Sequence, residues 1–216
     1  MTPPHLAPSR QPDSKQPDRA TLRKECLRVR DGLDPRLRCA SDAAIATHLR
    51  GWLATLSPPP PSDAALALWW PIGSEPDLRP FFAGFRALGW TVALPCVVAR
   101  GSPLRFAVYD TDTPLRTVAF GLQEPASPRW VEPWAIAAPC VGFWGLYRLG
   151  YGGGYYDRTL AASHGLAQGR SAAIAYSQSR IELPDAFAPQ PLDQTFSAVI
   201  TEEGVIHPDP GTPAAG

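Results

Sequence analysis

The sequence lacks a long apolar run and an excess of charge of either sign. No stretch reaches the roughly 20 apolar residues of a membrane-spanning helix, and the opening MTPPHLAPSRQPDSKQPD has no apolar core of a secretion signal. The 20 basic residues balance the 20 acidic residues, so no overall field attracts nucleic acid or an anionic membrane. We therefore expect a cytoplasmic protein that binds neither a membrane nor nucleic acid, with any anion site confined to one region.

Metal-binding and disulfide patterns are also missing. The chain has 4 cysteines, none in a CxxC pair, which argues against a zinc site and against a disulfide scaffold. His48, His164 and His207 have no partners at the spacing of metal ligands, so we assign them no role. The cysteines are expected to be small buried apolar residues.

Proline is plentiful, with 26 in 216 residues, and much of it lies at the ends and in loops. We predict a disordered leader over residues 1–18 and a disordered tail over 208–216, because neither segment has enough apolar residues to offset the entropy of ordering. The chain length suits one domain with a sizeable core better than two. We therefore predict a single α/β domain over residues 19–207.

Apolar residues with helical period predict two helices at the start of this domain. The first stripe begins at Leu22, and Gly32 is expected to end its helix. Asp34 followed by Pro35 is typical of an N-cap and first helical residue, and a second stripe runs from Leu37 to Leu56.

Three arginines form a strip beside the first apolar stripe. On a helical wheel, Arg19, Arg23 and Arg30 fall within about 40° of one another, at the edge of the core-facing side. Such a strip is explained by a solvated face whose arginine stems cover apolar surface, or by contacts with phosphate groups. The sequence alone leaves both explanations open.

Strands and helices alternate along the rest of the chain. An apolar stretch at 64–70, a helical pattern at 78–88 and a strand at 90–95 predict a right-handed βαβ crossover and hence parallel strands. Residues 104–109 alternate like an exposed strand, whereas the almost wholly apolar stretch 134–143 predicts a central strand covered on both faces. Further elements are predicted as a helix at 155–163, a strand at 171–176 and a strand pair at 198–206. The pattern predicts a three-layer α/β fold with a mixed, largely parallel sheet flanked by helices.

A glycine-rich segment, RLGYGGGYYDRTL at 148–160, follows the predicted central strand and precedes a helix. Glycines let the backbone approach a ligand closely, and a helix start offers free N–H groups to phosphate oxygens, although a plain strand-to-helix turn has the same residues. The segment is neither a Walker A loop nor a GxGxxG fingerprint. Arg148 before the glycines and Asp157 after them favour phosphate binding, because ATP sites usually combine a cation with a magnesium carboxylate; Asp157 alternatively suits a helix start.

This segment resembles the signature of the 5-formyltetrahydrofolate cyclo-ligase family, also called methenyltetrahydrofolate synthetases. The family's pattern of a lysine followed by Leu-Arg resembles Arg19, Leu22 and Arg23, with arginine in place of the lysine. Three further stretches are similar to family segments: WWPIGSEPDLRP at 69–80, FGLQEP at 120–125 and PLDQTFSAVIT at 191–201. The resemblance extends from about Arg19 to Thr201.

The resemblance implies an enzyme that uses ATP as co-substrate, with Mg²⁺, to cyclise 5-formyltetrahydrofolate to 5,10-methenyltetrahydrofolate, releasing ADP and phosphate. It assigns the catalytic role to Arg148, which would contact the transferring phosphate, and the Mg²⁺ to Asp157 and Asp193. The ATP contacts it implies are Arg19, Arg23, Arg148, Leu149, Gly150, Tyr151, Gly152, Gly153, Gly154, Tyr155 and Tyr156. The substrate contacts it implies are Trp70, Glu75, Tyr151, Gly152, Gly153, Gly154 and Tyr155.

One segment departs from the family pattern. The family commonly has a Phe-Asp pair and a glycine shortly before Arg-Leu-Gly, whereas this chain reads GFWGLYRLG, with Trp144 at the Asp position and one residue fewer before Arg148. Two alternatives stay open at this point: another small-molecule phosphoryl-transfer enzyme that shares only the anion-binding loop and tolerates loss of Glu75, and a non-catalytic nucleotide- or folate-binding module. A monomer that binds small molecules is expected.

Overall fold

The computed structural model describes residues 18–118, 121–163, 169–182 and 189–208. The predicted leader, apart from residue 18, and the predicted tail, apart from residue 208, lie outside the described residues. The helices are α1 Arg19–Asp31, α2 Pro35–Thr55, α3 Phe82–Ala87 and α4 Tyr155–Ala162. The strands are β1 Ala65–Ala67, β2 Thr91–Cys96, β3 Arg105–Val108, β4 Leu115–Thr117, β5 Gln123–Pro125, β6 Trp130–Val131, β7 Ala135–Pro139, β8 Gly142–Trp144, β9 Tyr147–Leu149, β10 Ser171–Ile174, β11 Ala198–Thr201 and β12 Gly204–Ile206.

Eight of these strands form one sheet in the order β12-β11-β10-β7-β1-β2-β3-β6. The five neighbouring strands from β11 to β2 run parallel. At the edges, β12 pairs antiparallel with β11, β3 with β2, and β6 with β3. The predicted βαβ crossover is confirmed, since β1 and β2 pair in parallel with α3 between them in the chain. The mixed, largely parallel sheet is therefore as predicted.

Alternating residues of the sheet pack on two sides. Ala135 and Ala137 of β7 belong to a core with residues of α2 and α3, whereas Ile136 and Ala138 belong to a second core with Leu160 of α4. Such alternation follows from the two-residue period of a strand. Helices thus cover both faces of the sheet, which confirms the three-layer arrangement.

The two N-terminal helices begin and end as expected. The Asp34 carboxylate accepts a hydrogen bond from the Arg36 N–H at the start of α2, and Gly32 caps the end of α1. One residue of the predicted apolar stripe is misplaced, because Leu37 is 62% exposed. The first turn of α2 extends beyond the core, so periodicity alone wrongly assigned Leu37 to a buried face.

The prediction of an exposed strand at 104–109 is wrong for its centre. Phe106 and Ala107 of β3 are buried. Phe106 packs in the core shared with Leu160, and β6 pairs with the outer side of β3. The alternation in the sequence came from Arg105, which is exposed and lies over the ring of Trp130.

The apolar stretch 134–143 is central but is not one strand. β7 lies between β10 and β1 and has every residue buried, as predicted, but it ends at Pro139. The chain then forms a separate two-stranded hairpin, β8–β9, in which Trp144 pairs with Tyr147 across a two-residue turn. The glycine-rich segment therefore follows this hairpin rather than the central strand itself.

Candidate active site

A cavity of ≈ 510 Å³ opens beyond the carboxyl ends of β1, β2 and β7, the edge at which open α/β sheets usually bind ligands. Most of its wall is apolar, and Glu75 and Arg148 are its charged residues. Of the residues assigned from the resemblance, the cavity is lined by Trp70, Glu75, Arg148, Tyr151, Gly153, Gly154, Tyr155 and Tyr156. The structure therefore brings most of the expected substrate residues to one cavity.

The glycine loop, residues 150–154, connects β9 to α4 and forms part of this wall. Gly154 stands at the N-cap of α4 with φ of 63°, in the left-handed region that favours glycine. At Gly153 a Cβ atom would lie 2.9 Å from the Tyr155 ring, so a side chain there would displace that ring. Packing of the Tyr155 ring against the loop, and not only turn geometry, thus favours glycine here.

The other side of the loop faces helix α1. The Arg23 Nε donates to the carbonyl oxygen of Gly150 at 2.8 Å, and its guanidinium is the nearest group to the position that a Gly152 Cβ would occupy. Neither Arg23 nor Gly152 is among the residues that line the cavity. The loop therefore separates the cavity from a region served by the arginines of α1.

Arg148 lies at the junction of the cavity and the loop. Its Nη1 donates to the carbonyl oxygen of Pro139 at 3.0 Å, and its guanidinium lies 4.8 Å from the centre of the Tyr156 ring. Its side chain is only 7% exposed, and its Nη2 is 3.9 Å from Asp157 Oδ2. Its Nε is buried and has no hydrogen-bond partner in the described part of the chain.

The two predicted metal carboxylates also lie at this end of the sheet. Asp157 Oδ1 accepts a 3.4 Å hydrogen bond from the N–H of Gln194, the residue after Asp193. Asp193 is bound by both terminal nitrogens of Arg19, with Nη1 3.1 Å from Oδ1. Burial acts to raise the pKa of Asp193, but the Arg19 hydrogen bond and the N–H of Gln190 outweigh it, so the pKa is lowered and the group is ionised.

No cluster of three or more metal-binding side chains occurs in the ranges that the structure describes. Asp157 and Asp193 are thus a pair of carboxylates, each close to one of the arginines expected to bind phosphate.

Leu149, which the resemblance assigns to the ATP contacts, is the last residue of β9. Its side chain is buried with Cys26 in a small core under α1. Leu149 could therefore contact a nucleotide only through its backbone.

Glu75 is a buried acid in the cavity wall. It is 3% exposed, and its Oε2 accepts a 2.9 Å hydrogen bond from the N–H of Ile72. Burial raises its pKa to about 7, with the Ile72 N–H and the charges of Arg30 and Arg148 opposing the rise. Glu75 therefore exchanges a proton near neutral pH, at a position where a ligand would meet it.

Trp70 and Glu124 have structural partners that explain their positions. Trp70 lines the cavity while its ring packs edge-on against Tyr109 and lies under the Arg79 guanidinium. Glu124 of the resembling Gly-x-x-Glu-Pro segment is buried and accepts from the N–H of Val97 at 2.7 Å. That bond joins the β4–β5 hairpin to the end of β2.

Several contributors to the site were not assigned from the sequence. Leu122 and Gln123 line the cavity from the β4–β5 hairpin, and their position next to Glu124 in the resembling segment was the available signal. Arg30 was noticed as part of the basic strip but was given no role. In the structure it is buried and reaches Tyr151.

Of the helices in the described ranges, none combines the length and apolar character needed to cross a membrane.

Comparisons with known proteins agree with this geometry. The sequence model described as the 5-formyltetrahydrofolate cyclo-ligase family matches residues 15–202. The 5-formyltetrahydrofolate cyclo-ligase of Mycolicibacterium smegmatis is 33% identical over 175 residues, which are 74% of this chain and 84% of that protein. The cyclo-ligase of Mycoplasma pneumoniae is 28% identical over 187 residues, 86% of this chain and 99% of that protein.

Solved structures extend the similarity to three dimensions. The 5,10-methenyltetrahydrofolate synthetase of Aquifex aeolicus superposes with a TM-score of 0.70 at 27% identity, covering 92% of this chain and 96% of that one. The synthetase from Mycoplasma pneumoniae superposes with a TM-score of 0.65 at 26% identity, covering 86% of this chain and 99% of that one. Match and superposition both extend over nearly the whole described domain, and this chain belongs to the 5-formyltetrahydrofolate cyclo-ligase family.

Proposed function

We propose that the cavity and the glycine loop together perform the ATP-dependent cyclisation of 5-formyltetrahydrofolate to 5,10-methenyltetrahydrofolate, with release of ADP and phosphate. As a member of the family, the chain is a ligase that acts on a reduced folate. One observation carries the assignment to this site: a single loop forms the wall of an apolar cavity on one face and is held by Arg23 on the other, with Arg148 at the junction. Two substrates on opposite faces of the loop would meet at Arg148.

The cavity suits the folate. A flat heteroaromatic ring with amino and N–H groups needs apolar walls, an aromatic surface and a hydrogen-bond acceptor. Trp70 and Tyr155 supply aromatic surface, and Glu75 supplies a buried acceptor. We assign the pterin ring of the substrate to this wall.

The loop and the arginines suit the triphosphate. Gly152 and Gly154 have positive φ, Arg23 holds the loop, and Arg148 lines the cavity beside it. Backbone N–H groups of such a loop and guanidinium groups are favourable partners for phosphate oxygens. We assign the ATP phosphates to the loop, with Arg19, Arg23 and Arg148 around them.

Asp157 and Asp193 fit a magnesium ion by their chemistry. Mg²⁺ prefers oxygen ligands and is commonly held by one or two carboxylates together with phosphate oxygens. Asp157 accepts a hydrogen bond from the N–H of Gln194, the residue next to Asp193, and Asp193 is ionised. Mg²⁺ bound there would neutralise charge on the phosphates.

The chemistry then needs alignment more than a protein nucleophile. The formyl oxygen forms a bond to the γ-phosphorus as the bond from that phosphorus to the ADP oxygen breaks. N10 next forms a bond to the formyl carbon, the carbon–oxygen bond breaks with release of phosphate, and the N10 proton is lost. Arg148 stabilises charge on the transferring group, and the cavity wall excludes water from the phosphorylated intermediate.

The direct test mixes the purified chain with 5-formyltetrahydrofolate and Mg-ATP and follows the near-ultraviolet absorbance of the methenyl product. We expect product and ADP to form in equal amounts. An absorbance equal to the control without protein would reject the proposal. ADP formation without methenyl product would instead indicate another phosphoryl-transfer reaction, and ATP binding without either product would indicate a binding module.

We further infer that residues 19–207 act as one catalytic domain in a cytoplasmic monomer that binds these small molecules but no nucleic acid or membrane. The balance of 20 basic and 20 acidic residues supports the absence of a nucleic-acid or membrane partner. Light scattering coupled to gel filtration measures the mass, and a mass above that of one 23.3 kDa chain would contradict the monomer.

A further inference from the structure

We propose that Arg30 is a positioning residue of the folate half of the site, which holds Tyr151 and the Glu75 loop in the geometry that binds substrate. This inference rests on the proposed function and adds a residue to it. Arg30 itself is not among the residues that line the cavity, so it acts through the groups that it holds.

The Arg30 guanidinium joins three separate segments. It is 2% exposed, and each of its nitrogens donates to a different group. Nε donates to Ser74 Oγ at 3.0 Å, Nη1 to the carbonyl oxygen of Cys140 at 3.3 Å, and Nη2 to the Tyr151 hydroxyl at 2.7 Å. The side chain therefore fixes the loop before Glu75, the end of the central strand region and the glycine loop relative to one another.

The charge itself points to a role at the cavity. A buried cation is costly unless it is well hydrogen-bonded, and apolar residues of similar volume often stabilise a fold better. Here the guanidinium is connected to the Asp31 carboxylate through the Ser74 hydroxyl and to the Glu75 carboxylate through the Tyr151 hydroxyl. A side chain needed only to fill this space would not need a charge, whereas positioning of Tyr151 requires a donor at this point.

Helix α1 holds the glycine loop at two adjacent residues. Arg23 donates to the carbonyl oxygen of Gly150, and Arg30 donates to the side chain of Tyr151. These arginines share one face of the helix, two turns apart. One helix thus fixes the loop beside the nucleotide and, through Arg30, the aromatic residue on the folate side.

Arg30 also acts on Glu75 electrostatically. Its positive charge favours the ionised carboxylate, which burial disfavours, and the Tyr151 hydroxyl acts in the same direction. The titratable or charged groups that interact with Glu75 are Arg30 on α1, Arg148 on β9, Tyr151 in the glycine loop, Tyr156 on α4 and Cys140 after β7. Removing the Arg30 charge would therefore raise the pKa of Glu75 further.

The test separates the charge of Arg30 from its geometry. Arg30→Lys keeps the charge but cannot make the three-way set of bonds, whereas Arg30→Gln loses both. Arg28→Gln is the matched control, because Arg28 lies on the same helix and pairs with Glu25 at the exposed surface. Tyr151→Phe removes only the hydroxyl that Arg30 contacts, from a side chain that is 49% exposed, and so keeps the test decisive if Arg30→Gln does not fold.

The Arg30 substitutions are expected to change the KM for folate much more than the KM for ATP. Loss of hydrogen bonds from a charged group should raise the KM for folate by about tenfold or more in Arg30→Lys and Arg30→Gln, while the KM for ATP changes by less than about threefold. Tyr151→Phe should raise the folate KM as well, and its effect should be smaller in the Arg30→Gln background, because the two residues act through one bond. The acidic limb of the pH profile for folate kcat/KM should move to higher pH in Arg30→Gln but not in Arg30→Lys.

Two outcomes would overturn the proposal. The first is a folded Arg30→Gln variant whose folate KM equals that of Arg28→Gln, or, if that variant does not fold, normal folate KM in both Arg30→Lys and Tyr151→Phe. The second is an equal rise in the KM for both substrates, which indicates general loosening of the loop. Folate binding measured by tryptophan fluorescence without ATP distinguishes this failure from failure of the proposed function, because the Arg30 effect on binding persists even if the wild-type chain shows no turnover.

Discussion

Arg19 and Asp193 lie 174 residues apart in the sequence and form a two-point ion pair beside the glycine loop. The pair joins the first turn of α1 to the loop before β11, and its side chains are less than one-fifth exposed. Arg148 and Asp157 form a second, longer contact of the same kind nearby. Under the proposed function, Mg-ATP would draw the two carboxylates to the metal and the guanidiniums to phosphate.

The first prediction concerns the metal. Asp193→Asn should raise the Mg²⁺ concentration needed for half-maximal rate by about tenfold or more, because one of two carboxylate ligands loses its charge. Calorimetric titration of ATP in the presence of Mg²⁺ gives a readout apart from turnover and should show weaker binding. Asp110→Asn, which removes an exposed partner of Arg129, is the control. Identical Mg²⁺ dependence in the two variants would place the metal elsewhere.

Arg148 provides the second prediction. Arg148→Ala should lower kcat by about 10²–10³-fold, since a preorganised charge at the transferring group is lost. Arg129→Ala, at an exposed ion pair far from this role, should keep normal turnover. Circular dichroism and thermal melting establish that both variants are folded. A folded Arg148→Ala variant with nearly normal kcat would show that another group stabilises the transferring phosphate.

The glycine loop gives the third prediction. Gly153→Ala should weaken the binding of both substrates. The alanine Cβ would lie 2.9 Å from the Tyr155 ring and push that ring from the cavity wall. Gly84→Ala in α3 is the matched control, since nothing lies within 4 Å of its Cβ position and alanine favours a helix. Steady-state kinetics compare the two. If Gly153→Ala and Gly84→Ala have the same KM values for both substrates, the loop tolerates a side chain and does not approach a ligand closely.

Glu75 makes stability depend on pH. Its folded-state pKa, raised by burial to about 7, exceeds its ordinary value of 4.5, so the folded state favours the protonated acid. The stability that this preference contributes is present below about pH 4.5 and is lost as pH rises through about 7.

Glu75→Gln should therefore be more stable than the wild type at pH 8, by up to about 3 kcal/mol, and the difference should shrink towards pH 5. Denaturant unfolding at the two pH values measures it. The same variant should bind folate less well, because the amide cannot replace the carboxylate at the cavity wall. A stability difference that does not change with pH would show that Glu75 is not the buried titrating acid.

Much of this architecture was predictable because the responsible signals are local. The central position of β7 followed from an unbroken apolar stretch, and the start of α2 followed from Asp34 and Pro35. The proposed phosphate contacts of the glycine loop and the residues on the cavity wall were assigned through the resemblance, whose matching segments contain several glycines and acidic residues. Each of these signals lies in a short stretch of sequence and can be recognised without the three-dimensional structure.

Other features depend on contacts between distant segments and could not be read from spacing. The role of Arg30 requires its bonds to residues 44, 110 and 121 positions away in sequence. The break after Pro139 depends on the pairing of β8 with β9, and the burial of Phe106 depends on α4. Helical periodicity recognised Arg30 as a neighbour of Arg19 and Arg23 but gave no information on what it faces.

The hairpin β8–β9 has a consequence for how the loop can vary. Trp144 and Tyr147 stack across a two-residue turn, and Gly145 in that turn has φ of 54°. The glycine loop starts directly after β9, and the last residue of that strand, Leu149, is buried with Cys26. A residue inserted at the turn would therefore lengthen the tip of the hairpin and leave the start of the loop in place.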